Sequence, residues 1–195
     1  MTVPATLDRR FRDAAAASGD LDVAYDVFDS PVGELLVAVS VAGLCRIGFD
    51  GEAGLDDLAR ASGARVLRSP RPVDRARREL DEYFDGNRRD FDLAVDMRTL
   101  ASFQRAVLEE LRRVPYGRTA TYGALATRIG KPGAARAIGG ALNRNPVPIV
   151  LPCHRIVGST GRLVGYAGGL DRKRLLLEIE SGGYRLDAGS SESSS

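Results

Sequence analysis

Apolar and polar positions change their period twice along the chain. Residues 1–20 form a polar, Ala-rich arm. From Val23 the pattern becomes short β-type runs. AYDVF, ELLVAVS after the turn Ser30-Pro31-Val32-Gly33, and LCRIGF after Ala42-Gly43 predict a three-stranded antiparallel meander. Cys45 falls on the strand face of Ile47 and Phe49 and reads as a small buried hydrophobe. Val73 to Phe84 has helical spacing, with Val73, Ala76, Leu80, Tyr83 and Phe84 on one side, and Asp85-Gly86-Asn87 ends it. Phe91, Leu93, Val95 and Met97 alternate as a strand would. Arg98 to Ala101 marks a boundary, giving an N-terminal α/β domain over 21–98 and a second domain over 102–186.

The second domain begins helical. Ser102 is placed to cap a helix carrying Phe103, Val107, Leu108, Leu111 and Val114, which Pro115-Tyr116-Gly117 breaks. Thr121 is placed to cap a short helix with Tyr122, Leu125, Ala126 and Ile129. Gly130-Lys131-Pro132-Gly133 turns the chain into a further helix, AARAIGGALNR. Two short helices joined by a Gly-containing turn make a helix-turn-helix candidate. The second of them has almost no side-chain bulk, although adjacent glycines each cost about 1 kcal/mol in a helix interior. Close packing inside the domain and close approach to a DNA groove both explain that. In the second case Arg136 is the one long side chain available to enter a duplex.

Composition narrows the classes. Apolar residues make up 44% of 195, enough for a real core, and no apolar run reaches the ~20 residues that span a bilayer. The first residues lack the apolar stretch of a secretory signal, so a cytoplasmic protein is expected. Cys45, Cys153 and the single histidine, His154, are too few for a usual structural zinc site, so no metal is expected. The net charge of +2 conceals an asymmetry. Between Arg118 and Arg174 ten basic residues face one acid, Asp171, a segment charge of +9 that leaves −7 for the remainder. Such a block suits a polyanionic partner, though charge alone fits a solvated basic surface equally well. The residues after Asp187, a Ser-rich tail over 187–195, are expected to be disordered.

Candidate chemistry is concentrated at Asn145 to Val157, where an apolar run, read as a strand, leads into Pro152-Cys153-His154-Arg155. The thiolate is the nucleophilic form of cysteine, and His154 and Arg155 are candidates to favour it. In an extended strand neighbours face opposite ways, so His154 reaches the sulfur only through a local turn or a bridging water. This disfavours a cysteine-protease dyad. The Gly-rich stretch near Gly168 has no following Gly-Lys-Ser/Thr, which argues against a phosphate loop.

Leu151-Pro152-Cys153-His154-Arg155-Ile156-Val157 resembles the active-site signature of the O6-alkylguanine-DNA alkyltransferases, the methylated-DNA–protein-cysteine methyltransferases. The likeness runs from Phe103-Gln104 through Pro115-Tyr116-Gly117, Tyr122, Ala134-Ala135-Arg136-Ala137, Gly139-Gly140 and Asn145-Pro146. It ends with Gly165-Tyr166-Ala167-Gly168-Gly169 and a helix finishing at Glu180. The resemblance implies a ribonuclease H-like first domain with a small antiparallel sheet, and a mostly helical second domain with a helix-turn-helix. It implies single-turnover DNA repair in which Cys153 accepts the alkyl group of O6-alkylguanine, with O4-alkylthymine a further candidate substrate. His154 would be general base through a water, Glu180 would orient it, and Asn145 would brace the turn. Tyr122 would help rotate the nucleotide out and hydrogen-bond the purine, and Arg136 would fill the gap in the stack. Ala135, Gly139 and Gly140 would lie against the minor groove. Pro148, Val164, Tyr166, Ala167 and Gly168 would form the base pocket. Ala167 stands where many relatives have Ser or Gly and brings no hydroxyl. No cofactor is implied, and the N-terminal zinc of some relatives is not expected. The partner would be double-stranded DNA with an alkylated guanine, bound by a monomer or by molecules assembling cooperatively, with no membrane contact. A lesion-binding relative without chemistry would lack the cysteine, and a helix-turn-helix regulator would not need Pro-Cys-His-Arg.

Overall fold

The computed structural model describes residues 22–49, 51–62 and 65–183, so the N-terminal arm and the Ser-rich tail lie outside it. Strands β1 (Val23–Phe28), β2 (Leu35–Ser40) and β3 (Gly43–Gly48) pair antiparallel, as the alternation predicts. The turn between β1 and β2 closes when Gly33 N–H donates to Ser30 O at 2.9 Å.

The sheet departs from the expected all-antiparallel form. A fourth strand, β4 (Val66–Arg68), joins β1 in parallel, giving the order β3-β2-β1-β4. Strands β3 and β4 therefore run the same way, and a parallel step needs a crossover. Helix α1 (Leu55–Ser62) supplies it. Three residues are too few for a period of two to be legible, which is why β4 escapes a reading by pattern.

The alternation from Phe91 to Met97 does not become a strand. It touches the sheet through one bridge, Leu44 to Val95. Gly43 makes that approach possible: with φ 125°, it lies where a Cβ would stand 2.3 Å from the Ala94 carbonyl oxygen. Asp96 then turns its carboxylate to Ser40 and Arg98, and the pairing ends. A register shift at Ala38/Val39 also revises Cys45. The bulge puts Leu44 and Ile47 into one core cluster with Phe49. Cys45 faces away, half-buried against a smaller cluster of Val23, Leu36, Ala38 and Leu58.

Helix α2 (Pro70–Phe84) covers the sheet, and helices α3 (Ser102–Leu111), α4 (Tyr122–Arg128), α5 (Ala135–Asn143) and α6 (Leu170–Ser181) build the second half. Thr121 caps α4, accepting Ala124 N–H at 3.1 Å. Ser102 does not cap α3; it is the first helical residue, and Ala101 holds the cap position without a side-chain bond. Two short strands, β5 (Ala120–Thr121) and β6 (Ile156–Val157), pair in parallel behind the α4 entry. One core cluster crosses both halves, from Leu35 and Val37 in β2 through Tyr83 to Leu108, Ile138 and Ile179. Among the described residues no helix is long and apolar enough to cross a membrane.

Candidate active site

The apolar run before Cys153 is a buried turn, not a strand. Leu151 N–H returns to Val147 O at 3.0 Å and Cys153 N–H to Leu151 O at 2.8 Å. Ile149 sits at φ 73°, a conformation a β-branched residue rarely adopts, and it is fully buried, so the packing around it holds the turn. Asn145 fastens the same turn from inside. Its Oδ1 accepts Val147 N–H at 3.1 Å. Its Nδ2 donates to Leu151 O at 2.8 Å and to the Cys153 sulfur at 3.2 Å. Cys153, His154 and Arg155 then form one 3-10 turn. Successive side chains therefore fan out instead of alternating.

His154 and Glu180 are completely buried, with His154 Nε2 2.7 Å from Glu180 Oε1. Glu180 also accepts from Arg155 Nε at 3.0 Å and Nη2 at 2.9 Å, from the Tyr83 hydroxyl at 2.9 Å and from Gly117 N–H at 3.0 Å. Burial alone would raise its pKa. Hydrogen bonds from His154 and Arg155, together with the Arg155 charge, outweigh that and hold it at about 2. An ionised carboxylate only accepts, so His154 carries its proton on Nε2. Burial lowers the His154 pKa and keeps the ring neutral, against the pull of Glu180. Its Nδ1 is buried and has no hydrogen-bond partner among the described residues.

Burial pushes the Cys153 thiol up to about 11, and the Asn145 hydrogen bond and the charge of Lys173 act against it. The cation that favours the thiolate is thus Lys173. Arg155, a candidate for that task by sequence, gives its guanidinium to Glu180 and Val114 O instead. Lys173 is wholly buried and donates to Ile156 O at 2.6 Å and Val164 O at 2.8 Å. Its signal was present in the sequence: it occupies the buried stripe of α6 with Leu176 and Ile179. Tyr83 carried no such signal, since its ring is core like its neighbours and only the hydroxyl is used.

Cys153 opens on a cavity of about 300 Å³ lined by Tyr122, Gly139, Gly140, Leu142, Asn143, Gly165, Tyr166 and Ala167. Tyr122 donates to Val164 O at 3.2 Å, and burial raises its pKa, so it stays a donor. Pro148 is buried in the turn and Gly168 lies behind Tyr166; neither lines the cavity, nor does half-exposed Val164. Arg136 is exposed near the start of α5, with Ala135 half-buried beside it. A Cβ on Gly139 or Gly140 would meet its nearest neighbours at 3.8 and 3.7 Å, ordinary contact distances. Packing inside the domain therefore does not require those glycines. Among the described residues no group of three His, Cys, Asp or Glu side chains could hold a metal.

Residues 23–97 match the family model described as 6-O-methylguanine DNA methyltransferase, ribonuclease-like domain, and residues 102–182 match the DNA binding domain of the same family. The methylated-DNA–protein-cysteine methyltransferase of Mycolicibacterium paratuberculosis is 41% identical over 81% of this chain and 92% of its own. That of Methanosarcina barkeri is 40% identical over 83% and 99%. The crystal structure of Mycobacterium tuberculosis OGT in complex with DNA superposes with a TM-score of 0.72 at 37% identity, covering 82% of this chain and 94% of that one.

Proposed function

Because the chain belongs to the 6-O-methylguanine DNA methyltransferase family, we propose that Cys153 is the residue onto which it draws the alkyl group of a damaged guanine. The reaction class is direct repair, alkyl transfer from DNA to a cysteine of the protein itself, and DNA is the partner. The observation that carries the assignment is the arrangement at the pocket floor. The thiol faces a base-sized cavity, beside a neutral histidine with one unpartnered nitrogen and a charged carboxylate behind it.

The thiol is protonated at neutral pH, so it needs a base. His154 Nδ1 takes its proton through a bridging water, and Glu180, already ionised, stabilises the imidazolium without accepting a proton. Sγ attacks the alkyl carbon in line, the carbon–O6 bond breaks, and its electron pair stays on O6. Tyr122 swings its hydroxyl from Val164 O to the purine as that charge develops. The thioether is stable, so each molecule acts once, and no cofactor enters. Helices α4 and α5 act as a helix-turn-helix in the minor groove, below a ribonuclease H-like domain, in a cytoplasmic protein. Its basic surface supplies affinity, and the small residues of α5 permit close approach.

The relay predicts a pH profile. Below the lowered pKa of His154 the base is protonated and transfer slows. Above it the rate holds level to about pH 9, because the thiol proton only moves within the site. Single-turnover rates across that range test this. A mechanism using only pre-ionised thiol would instead gain roughly tenfold per pH unit toward the thiol pKa.

Arg136 carries the flipping prediction. Extruding a base costs a few kcal/mol, and a side chain that fills the gap offsets part of it. Arg136→Ala is expected to slow repair of duplex DNA about ten- to a hundredfold at saturating protein. The slow reaction with free O6-alkylguanine should hardly change. Equal slowing of both substrates would remove Arg136 from the flipping step.

A further inference from the structure

We propose that Phe49 and Arg172 are positioning residues that set the size of the alkyl pocket, so that the N-terminal domain decides which alkyl groups Cys153 accepts. Neither side chain lines the cavity; both act through the stretch Val164 to Gly169, whose Gly165, Tyr166 and Ala167 form its wall. The near end of that stretch is held within its own domain, by Tyr122 and Lys173 on Val164 O. The far end is held from the other domain. Arg172, on α6, donates from Nη1 to Gly168 O at 3.2 Å. It also reaches across to Val32 O from Nε at 2.7 Å and to Phe49 O from Nη2 at 3.3 Å. Its guanidinium also lies over the Phe49 ring, 5.2 Å from the centroid. One rigid fork thus ties three carbonyls from two domains with donors spread across the guanidinium plane, whereas a lysine offers its donors from a single point.

The Phe49 ring meets the Tyr166 ring at 5.9 Å between centroids, and Tyr166 is a wall of the cavity. The backbone of Gly168 is wedged between them. A Cβ there would stand 2.7 Å from Phe49 and 2.9 Å from Tyr166. Gly33, in the turn after β1, lies where a Cβ would stand 3.4 Å from Arg172 Nη2, so the same turn also borders the guanidinium. Tyr166 can retreat from the cavity only if Phe49 or the Arg172 fork gives way.

The inference rests on Cys153 being the acceptor and on this cavity being the alkyl site. The test compares maximal single-turnover rates for O6-benzylguanine and O6-methylguanine in one oligonucleotide, normalised to titratable Cys153. Phe49→Ala and Arg172→Lys are measured beside Arg174→Met, on the exposed side of α6. Phe49→Ala and Arg172→Lys are expected to raise the benzyl-to-methyl ratio roughly tenfold, the scale on which a pocket discriminates small apolar increments. The DNA affinity of Phe49→Ala and Arg172→Lys, and the benzyl-to-methyl ratio of Arg174→Met, should stay at parental values. Should Phe49→Ala fail to fold, the ratio for Arg172→Lys, which keeps charge and stem, decides alone. An unchanged ratio, with both substrates slowed alike, or a lowered ratio would overturn the proposal and leave only fold support. Absence of any label on Cys153 of the parent protein would overturn the acceptor assignment, and this inference with it.

Discussion

Cys153→Ala is expected to abolish alkyl transfer completely while leaving DNA binding largely intact. The sulfur is the one nucleophile on the floor of the cavity; the other lining groups there are hydrocarbon, amide, phenol or backbone. No second thiol can substitute. Cys45 faces the smaller core cluster of the sheet, donates to Ala38 O at 3.3 Å, and is held as a thiol by burial, with a pKa of about 11. On the proposed reading, binding rests on basic groups such as Arg136, which the change does not touch. Transfer of radiolabelled methyl and duplex affinity, measured on one preparation, check both halves. Residual transfer, or methyl on Cys45, would contradict the assignment.

Glu180→Gln is expected to weaken both stability and chemistry. Arg155 is nearly fully buried, and its Nε and Nη2 rest on this carboxylate. Removing one partner of a buried pair leaves an uncompensated charge, at a cost of about 3–5 kcal/mol at neutral pH. Thermal or urea unfolding measures that. The pH dependence gives the sign. The Glu180 pKa is depressed from 4.5 to about 2, so its contribution is present above 4.5 and is lost as pH falls toward 2. The Gln variant should lack that acid-labile part. Transfer by the folded variant should slow about a hundredfold or more, the lower range for losing general-base assistance, because the imidazolium loses its counter-charge. A Gln variant as stable and as fast as the parent would remove Glu180 from both roles.

Much of the site was legible because its chemistry is local in sequence. Asn145, Cys153, His154 and Arg155 lie within eleven residues, and Pro-Cys-His-Arg is specific. Their geometry was less legible. An apolar run before a Cys reads as a strand, yet Asn145 and the left-handed Ile149 fold it into a turn, and only that turn lets adjacent side chains diverge. The source of positive charge was misread for the same reason. Arg155 is two residues from the thiol in sequence but serves Glu180, while Lys173, twenty residues from the thiol, acts on it. Helices α2 to α5 were readable from the sequence and α6 only through the resemblance, whereas α1, β4 and the Val95 bridge were not read. Three residues carry no period, and a bridge depends on Gly43 approaching a distant carbonyl. The pocket wall depends on contacts across domains, from Phe49 to Tyr166 and from Arg172 to Val32, which no local pattern encodes.

The most direct test of the central claim is peptide-mapped mass spectrometry of the protein after mixing with duplex DNA containing O6-methylguanine. One methyl group should replace one hydrogen, stoichiometrically, on the peptide containing Cys153, with guanine restored in the DNA. An unmodified Cys153 alongside repaired DNA, or a methyl group found on any other residue, would contradict the account.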